Sequence, residues 1–206
     1  MRTSLLVVDD FIEDAEGLRQ AALGLTFPPQ EGYFPGRNSL QRINLEGLTE
    51  QVSDLVGERL APISPPQSHA KCRLTLASDP GRARVHIDPS HWSGILYLSR
   101  PEDCRGGTDF FRHLPTGSDH APVDAAELKA MGFSSYDEVH REIVAKDGLD
   151  ESKWERTMQV PMQFNRLVLL RPWLWHTAGE GFGDSVENGR LVYLMFFKSE
   201  GRFPPR

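Results

Sequence analysis

Val85-His86-Ile87-Asp88 sets an imidazole and a carboxylate two residues apart. In an extended strand, residues i and i+2 point to one face, so His86 and Asp88 can aim two metal-ligating groups at one ion. A second imidazole, His176, lies far along the chain, directly after Trp173-Leu174-Trp175. Two imidazoles and one carboxylate on one face of an octahedron form a facial triad. That donor set suits non-haem Fe(II) and leaves three positions open. Arg190 heads a later apolar run, Leu191–Phe197, where it is either a co-substrate anchor or a surface cap on the sheet.

Around this stretch the texture is that of short strands. Residues 71–76 (Lys-Cys-Arg-Leu-Thr-Leu) alternate with period two, and Asp79-Pro80-Gly81 is a turn signal. Residues 83–88 read as a strand ending in the His-x-Asp. Residues 94–98 and 108–111 read as two more, the latter entered through Gly106-Gly107. Residues 166–171 and 190–197 are apolar enough to be central strands. Strands at this spacing predict a mainly β fold, a sandwich or barrel of antiparallel sheets.

Residues 1–66 form the N-terminal section: a strand over 4–8, a helix opened by Asp14 and running to about Leu23, and a Pro- and Gly-rich loop over 27–37. An amphipathic helix follows, marked by Leu45, Leu48, Val52 and Leu55. Residues 115–160 interrupt the strands. Asp124 is an N-cap signal, and Val139 and Ile143 recur at helical spacing, so a largely helical insertion is predicted there.

Composition bounds the rest. The 206 residues make most simply one domain spanning 1–206, with 39% hydrophobic and 25% charged residues, as in a globular protein. A net charge of −6 leaves no basic footprint for nucleic acid. Two cysteines, Cys72 and Cys104, make neither a disulfide framework nor a zinc spacing, which fits a reduced, cytoplasmic setting. The apolar stretch Leu5–Val8 is too short for a signal peptide, and no run approaches a membrane span, so no membrane partner is expected.

Taken in order, these fragments resemble the Fe(II)- and 2-oxoglutarate-dependent dioxygenases, in particular their prolyl-4-hydroxylase-like branch. The resemblance covers roughly residues 70–198 apart from the insertion. It rests on His86-Ile87-Asp88, Ile95–Ser99, Gly106-Gly107-Thr108-Asp109-Phe110, Asn165–Leu170, His176 and Arg190, with Val7–Phe11 similar to the family's opening. It implies a double-stranded β-helix, or jelly roll, with N-terminal helices outside it. It also implies that His86, Asp88 and His176 hold Fe(II), and that Arg190 holds the far carboxylate of the co-substrate 2-oxoglutarate. Asp109 departs from the leucine of the family's Gly-Gly turn and would bring a carboxylate near the site. The long insertion sets the chain in a branch of its own, expected to be bacterial.

The residues add detail to that implication. A guanidinium fork suits a carboxylate. Tyr97 sits in an apolar strand and needs a hydroxyl partner if buried, either the same carboxylate or a backbone group. Thr108 can add a weak hydrogen bond, and Arg171 and Arg166 are fallback anchors. His91, after Pro89-Ser90, is expected to point away, His113 is the other rival ligand, and His69, His120 and His140 are expected to be surface residues without a role. One of Trp173 and Trp175 is expected to shield the site. Trp92, Trp154, Met158 and Met162 are candidates for a substrate cavity, and residues 115–160 for its lid.

The expected activity is hydroxylation of a small-molecule or peptidyl substrate, with release of succinate and CO2. The catalytic machinery would be the metal centre alone. A jelly-roll binding or scaffold module without turnover, and a cupin-like metal enzyme working without 2-oxoglutarate, are the alternatives. A homodimer is compatible with either class.

Overall fold

The computed structural model describes residues 3–29, 35–82 and 84–202. In chain order the elements are β1 (Leu5–Val8), α1 (Ala15–Leu23), β2 (Arg37–Asn38), α2 (Leu48–Val56), β3 (Glu58–Pro62), β4 (Cys72–Thr75), β5 (Trp92–Tyr97) and β6 (Gly107–His113). After them come α3 (Ala125–Ala130), α4 (Tyr136–Val139, continued by a π-helical turn, His140–Ala145), β7 (Trp154–Pro161), β8 (Leu167–Leu170), β9 (His176–Thr177) and β10 (Arg190–Arg202).

The strands form two antiparallel sheets. The larger runs β1-β8-β5-β10-β4-β2, with β3 pairing the far end of β10, and the smaller runs β7-β6-β9. Together they make the jelly-roll core that the family resemblance implies. Strand alternation then divides the side chains. On β10, Leu191, Tyr193, Met195 and Phe197 face outward and pack with Leu18 and Ala22 of α1 and Leu48 and Val52 of α2. Val192 faces the other way, between the sheets, with Tyr97, Phe110, Val160, Val168 and Leu170. The N-terminal helices therefore cover the back of the large sheet. Their ends follow local chemistry: the Asp14 carboxylate accepts from the Gly17 amide at the start of α1, and Gly57 ends α2 in a left-handed conformation.

The Gly-Gly turn before β6 has a steric cause. Gly107 has φ +159°, and a Cβ there would lie 1.9 Å from the Val160 carbonyl oxygen, so a side chain would break the β6–β7 pairing.

Several expectations are corrected. Residues 83–88 are not a strand; among the described residues only His86 pairs, as an isolated bridge to His176, and Ala83 lies outside them. Residues 30–34 of the loop expected over 27–37 also lie outside them. The segment 115–160 is helical only in part. Its last eight-residue run, Trp154–Pro161, is β7, paired to β6 along its length. The apolar periodicity that marks the helices stops at Ala145, and β7 has mostly exposed side chains, which hid it. β3 was not foreseen, because Pro62, Pro65 and Pro66 read as a break while Glu58–Pro62 pairs only at a sheet end.

Candidate functional site

The two histidines are brought together by their own backbones. His86 donates its amide to the His176 carbonyl at 2.9 Å, and His176 donates to that of His86 at 3.2 Å. This reciprocal pair sets the two imidazole centroids 4.5 Å apart. The same alternation sends the neighbours Val85, Ile87 and Trp175 into a separate apolar cluster on the other side. Asp88 is fixed by its amide, which donates to the Pro172 carbonyl at 3.2 Å.

The ring nitrogens are assigned by their partners. Nδ1 of His86 lies 2.9 Å from the Arg84 carbonyl, and Nδ1 of His176 lies 2.7 Å from the Leu174 carbonyl. A carbonyl only accepts, so each Nδ1 carries the proton and each Nε2 presents a lone pair. Nε2 of His86 is 3.7 Å from Asp88 Oδ1, and Nε2 of His176 is 3.5 Å from Asp88 Oδ2. Donor atoms bound about 2.1 Å from one ion stand roughly 3–4 Å apart, so these separations suit a shared metal. One donor atom from each of the three residues lies within 4.8 Å of the others.

The electrostatics favour the ligating forms. Burial and the neighbouring His176 push His86 down to about 4, against the opposing pull of Asp88, so its ring is neutral at pH 7. Burial works against ionisation of Asp88, but the two imidazoles beside it and the Ser93 hydroxyl, which donates to it, outweigh that. Its carboxyl is held well below the usual range. A neutral imidazole and an ionised carboxylate are the states that bind a metal.

Arg190 lies on the inner face of β10 and is 2% exposed. Among the described residues, its buried Nε and Nη2 have no hydrogen-bond partner. A buried guanidinium with orphaned donors is costly, and an anion aimed at it would repay that cost. Burial draws its proton affinity below the usual value, while Tyr97, Asp109 and Cys104 offset this. The guanidinium carbon lies 5.9 Å from the Tyr97 ring centroid, and the Tyr97 hydroxyl is 2.7 Å from Thr108 Oγ1. Arg190, Tyr97 and Thr108 are thus assembled in one buried polar patch between the sheets.

The fallback anchors are engaged elsewhere. Arg166 forms an ion pair with Asp9, and Arg171 pairs with Glu58 and stacks 4.0 Å from the Trp92 ring centroid. Asp109 does not enter the site: it pairs with Thr177 and Gln159 across the small sheet, on the face opposite Thr108 and Phe110. There it accepts from Gln159 Nε2 at 2.7 Å. His91 points to Glu58 and Arg171, and His113 to Asp147. His120 pairs with acidic neighbours at the surface and His140 is exposed. His69, expected at the surface, is buried, and its Nδ1 accepts from the Phe196 amide.

Trp175 is fully buried against Trp154, and Trp173 stands 5.2 Å from the Arg171 guanidinium. Trp92 and Trp154 belong to the outer clusters; Met162 faces inward, and Met158, opposite Phe110, is inward and 41% exposed. The helices of the insertion pack behind the metal-ligand segments. Leu128, Val139, Ile143 and Val144 pack on Val85, Ile87 and Trp175, the residues that alternate with the ligands. A cavity of about 1070 Å³ borders the same region; it is lined by Val85 and Thr177, the chain neighbours of two ligands, and by Asp109, Arg156, Gln159 and Phe182.

Sequence reasoning missed Ser93. Its hydroxyl donates to Asp88 Oδ2 at 2.7 Å. The prediction began that strand at Gly94, one residue too late to place Ser93 on the face of Tyr97.

A family model described as a family of unknown function (DUF6445) matches residues 1–197. No curated protein matches the chain. Two solved structures are similar in fold. HygX from Streptomyces hygroscopicus, with nickel, 2-oxoglutarate and hygromycin B bound, is 14% identical at a TM-score of 0.53, over 96% of this chain and 84% of that one. SnoN, a non-heme alpha-ketoglutarate-dependent epimerase from nogalamycin biosynthesis, is 12% identical at a TM-score of 0.52, over 96% and 79%. Among the described residues no helix is long and apolar enough to cross a membrane.

Proposed function

The chain belongs to the DUF6445 family, and we propose that it is an Fe(II)- and 2-oxoglutarate-dependent oxygenase, of the prolyl-4-hydroxylase-like branch, that hydroxylates a small-molecule or peptidyl substrate. The observation that carries this reading is the occurrence of two features linked through Phe110, which neighbours His176 and packs with Tyr97, the ring beside Arg190. One is a donor set of two imidazoles and a carboxylate, His86, His176 and Asp88. The other is a buried Arg190 whose Nε and Nη2 are orphaned among the described residues. A metal site alone would not need the second feature.

When bound, Fe(II) with 2-oxoglutarate supplies the oxidising power, with succinate and CO2 as co-products. The protein's share is binding and orientation. His86 and His176 present Nε2 because the Arg84 and Leu174 carbonyls hold the Nδ1 protons. Arg190 offers its guanidinium to the far carboxylate of the co-substrate, with the Tyr97 and Thr108 hydroxyls beside it. Val168, Leu170 and Val192 wall this compartment with apolar groups, which strengthens the charge pairing by excluding water. Hygromycin B on HygX supports a small molecule as the substrate. Residues 1–206 are proposed to act as one unit.

The test is succinate formation from 2-oxoglutarate by the purified protein. Turnover that requires Fe(II) and drops at least about 100-fold in Arg190→Gln, the scale of a lost buried charged contact, supports the reading. Metal binding with no succinate under any substrate panel, and no effect of Arg190→Gln on 2-oxoglutarate binding, would leave a metal-binding module without this co-substrate.

A further inference from the structure

We propose that Ser93 is a positioning residue for the metal-ligating carboxylate of Asp88, and that Ser90 sets the direction of its hydroxyl. The inference rests on the reading of Asp88 as a ligand and adds which residues fix that ligand's rotation.

The backbone of Asp88 is already held. Its amide donates to Pro172, and Pro89 restricts it to extended geometry. What remains free is the rotation of the carboxylate about Cβ–Cγ, a torsion with a broad, shallow profile. Ser93 removes that freedom. It lies on β5, paired on one side with Leu170 and on the other with Phe196, so its Cα cannot shift without disturbing two strand pairs. Its side chain faces inward and is 2% exposed. The hydroxyl is 2.7 Å from Asp88 Oδ2, and the Ser90 hydroxyl is 2.8 Å from that of Ser93.

The direction of the chain follows from its protons. The Ser93 hydroxyl donates to Oδ2 at 2.7 Å, and a hydroxyl has one proton to give. Ser90 must then donate to Ser93. The relay Ser90 to Ser93 to Asp88 polarises each bond in turn. It fixes the plane of the carboxylate, whose Oδ1 lies 3.7 Å from His86 Nε2 and whose Oδ2 lies 3.5 Å from His176 Nε2. Outer partners of this kind govern metal affinity through orientation.

The experiment measures Mn(II) affinity of the purified protein by the loss of the free-ion EPR signal, beside apo melting temperatures. Ser93→Thr and Ser93→Val have the same shape and differ in the hydroxyl. We expect Ser93→Val and Ser93→Ala to weaken Mn(II) binding by about 10–100-fold, Ser93→Thr to restore it to within about threefold of wild type, and Ser90→Ala to cost about 2–5-fold. Equal affinity of Ser93→Val, Ser93→Thr and wild type, with binding still lost in Asp88→Ala, would overturn the proposal and leave the metal site standing. Equal affinity of wild type and Asp88→Ala would remove the metal reading and the proposal with it. If Ser93→Val does not fold, Ser93→Ala and Ser90→Ala decide by the same thresholds.

Discussion

Arg190 brings a positive charge into an inner compartment otherwise walled by Tyr97, Val168, Leu170 and Val192. In the absence of an anion this is a burden on the fold. Arg190→Met should therefore raise the unfolding free energy by about 1–4 kcal/mol, read as a higher urea midpoint, and abolish the thermal shift produced by 2-oxoglutarate. A lowered midpoint would mean that the guanidinium is structurally satisfied. The histidines invite a second residue-scale prediction. His86→Ala and His176→Ala should each lower divalent-metal affinity by at least about 10-fold, measured by calorimetry, while His91→Ala and His113→Ala leave it unchanged, because those rings face Glu58 and Asp147. At this scale the ligand types were readable in the sequence: His-x-Asp, His176 and Arg190 stood out. Yet 83–88 is not the strand expected to align His86 and Asp88, and the continuous apolar run after Arg190 did not show which way it faces. Ser93 was hidden because serine has no apolar signature and its strand starts with Trp92.

Between elements, the decisive contacts are those that hold the ligand-bearing segments from behind. Ile143, 1% exposed, sits in the cluster that backs Val85, Ile87 and Trp175. Ile143→Ala should cost about 2–5 kcal/mol of stability in urea unfolding, yet leave 2-oxoglutarate affinity within error. A closing lid would show the reverse pattern. On the other side, Glu58 ties β3 to the start of β5 and the end of β8 through His91 and Arg171. Burial opposes its ionisation, but His91 and Arg171 outweigh that and hold its carboxyl below the ordinary value of 4.5. A depressed folded-state pKa means the stabilisation is present above pH 4.5 and is lost as pH falls through the folded value. Glu58→Gln should therefore be less stable than wild type at pH 7, by about 3 kcal/mol, and converge on it in acid. A constant difference across pH would show that packing, not charge, is at work. These contacts were not legible in the sequence: each joins segments far apart in the chain, and β7 and β3 carry too few buried residues to announce themselves.

For the whole molecule, the jelly roll explains why one chain can hold both halves of the site. The small sheet and the bridge beside it carry His176 and His86, the large sheet carries Arg190 and Tyr97, and Phe110 lies between His176 and Tyr97. The mainly β class, the N-terminal helices and the strands near 4–8, 71–76, 94–98, 108–111, 166–171 and 190–197 were readable from alternation, apolar runs and turn residues. The placement of the insertion was not, since a helix's apolar stripe does not say which sheet face it will cover. The account's central claim is that this site takes a metal and 2-oxoglutarate together. The most direct test is anaerobic visible absorption of the protein with Fe(II), before and after 2-oxoglutarate is added, beside His86→Ala and Arg190→Ala. The account predicts a new charge-transfer band in wild type, absent in His86→Ala and needing more 2-oxoglutarate in Arg190→Ala. Wild-type protein that binds Fe(II) but develops no band would contradict it.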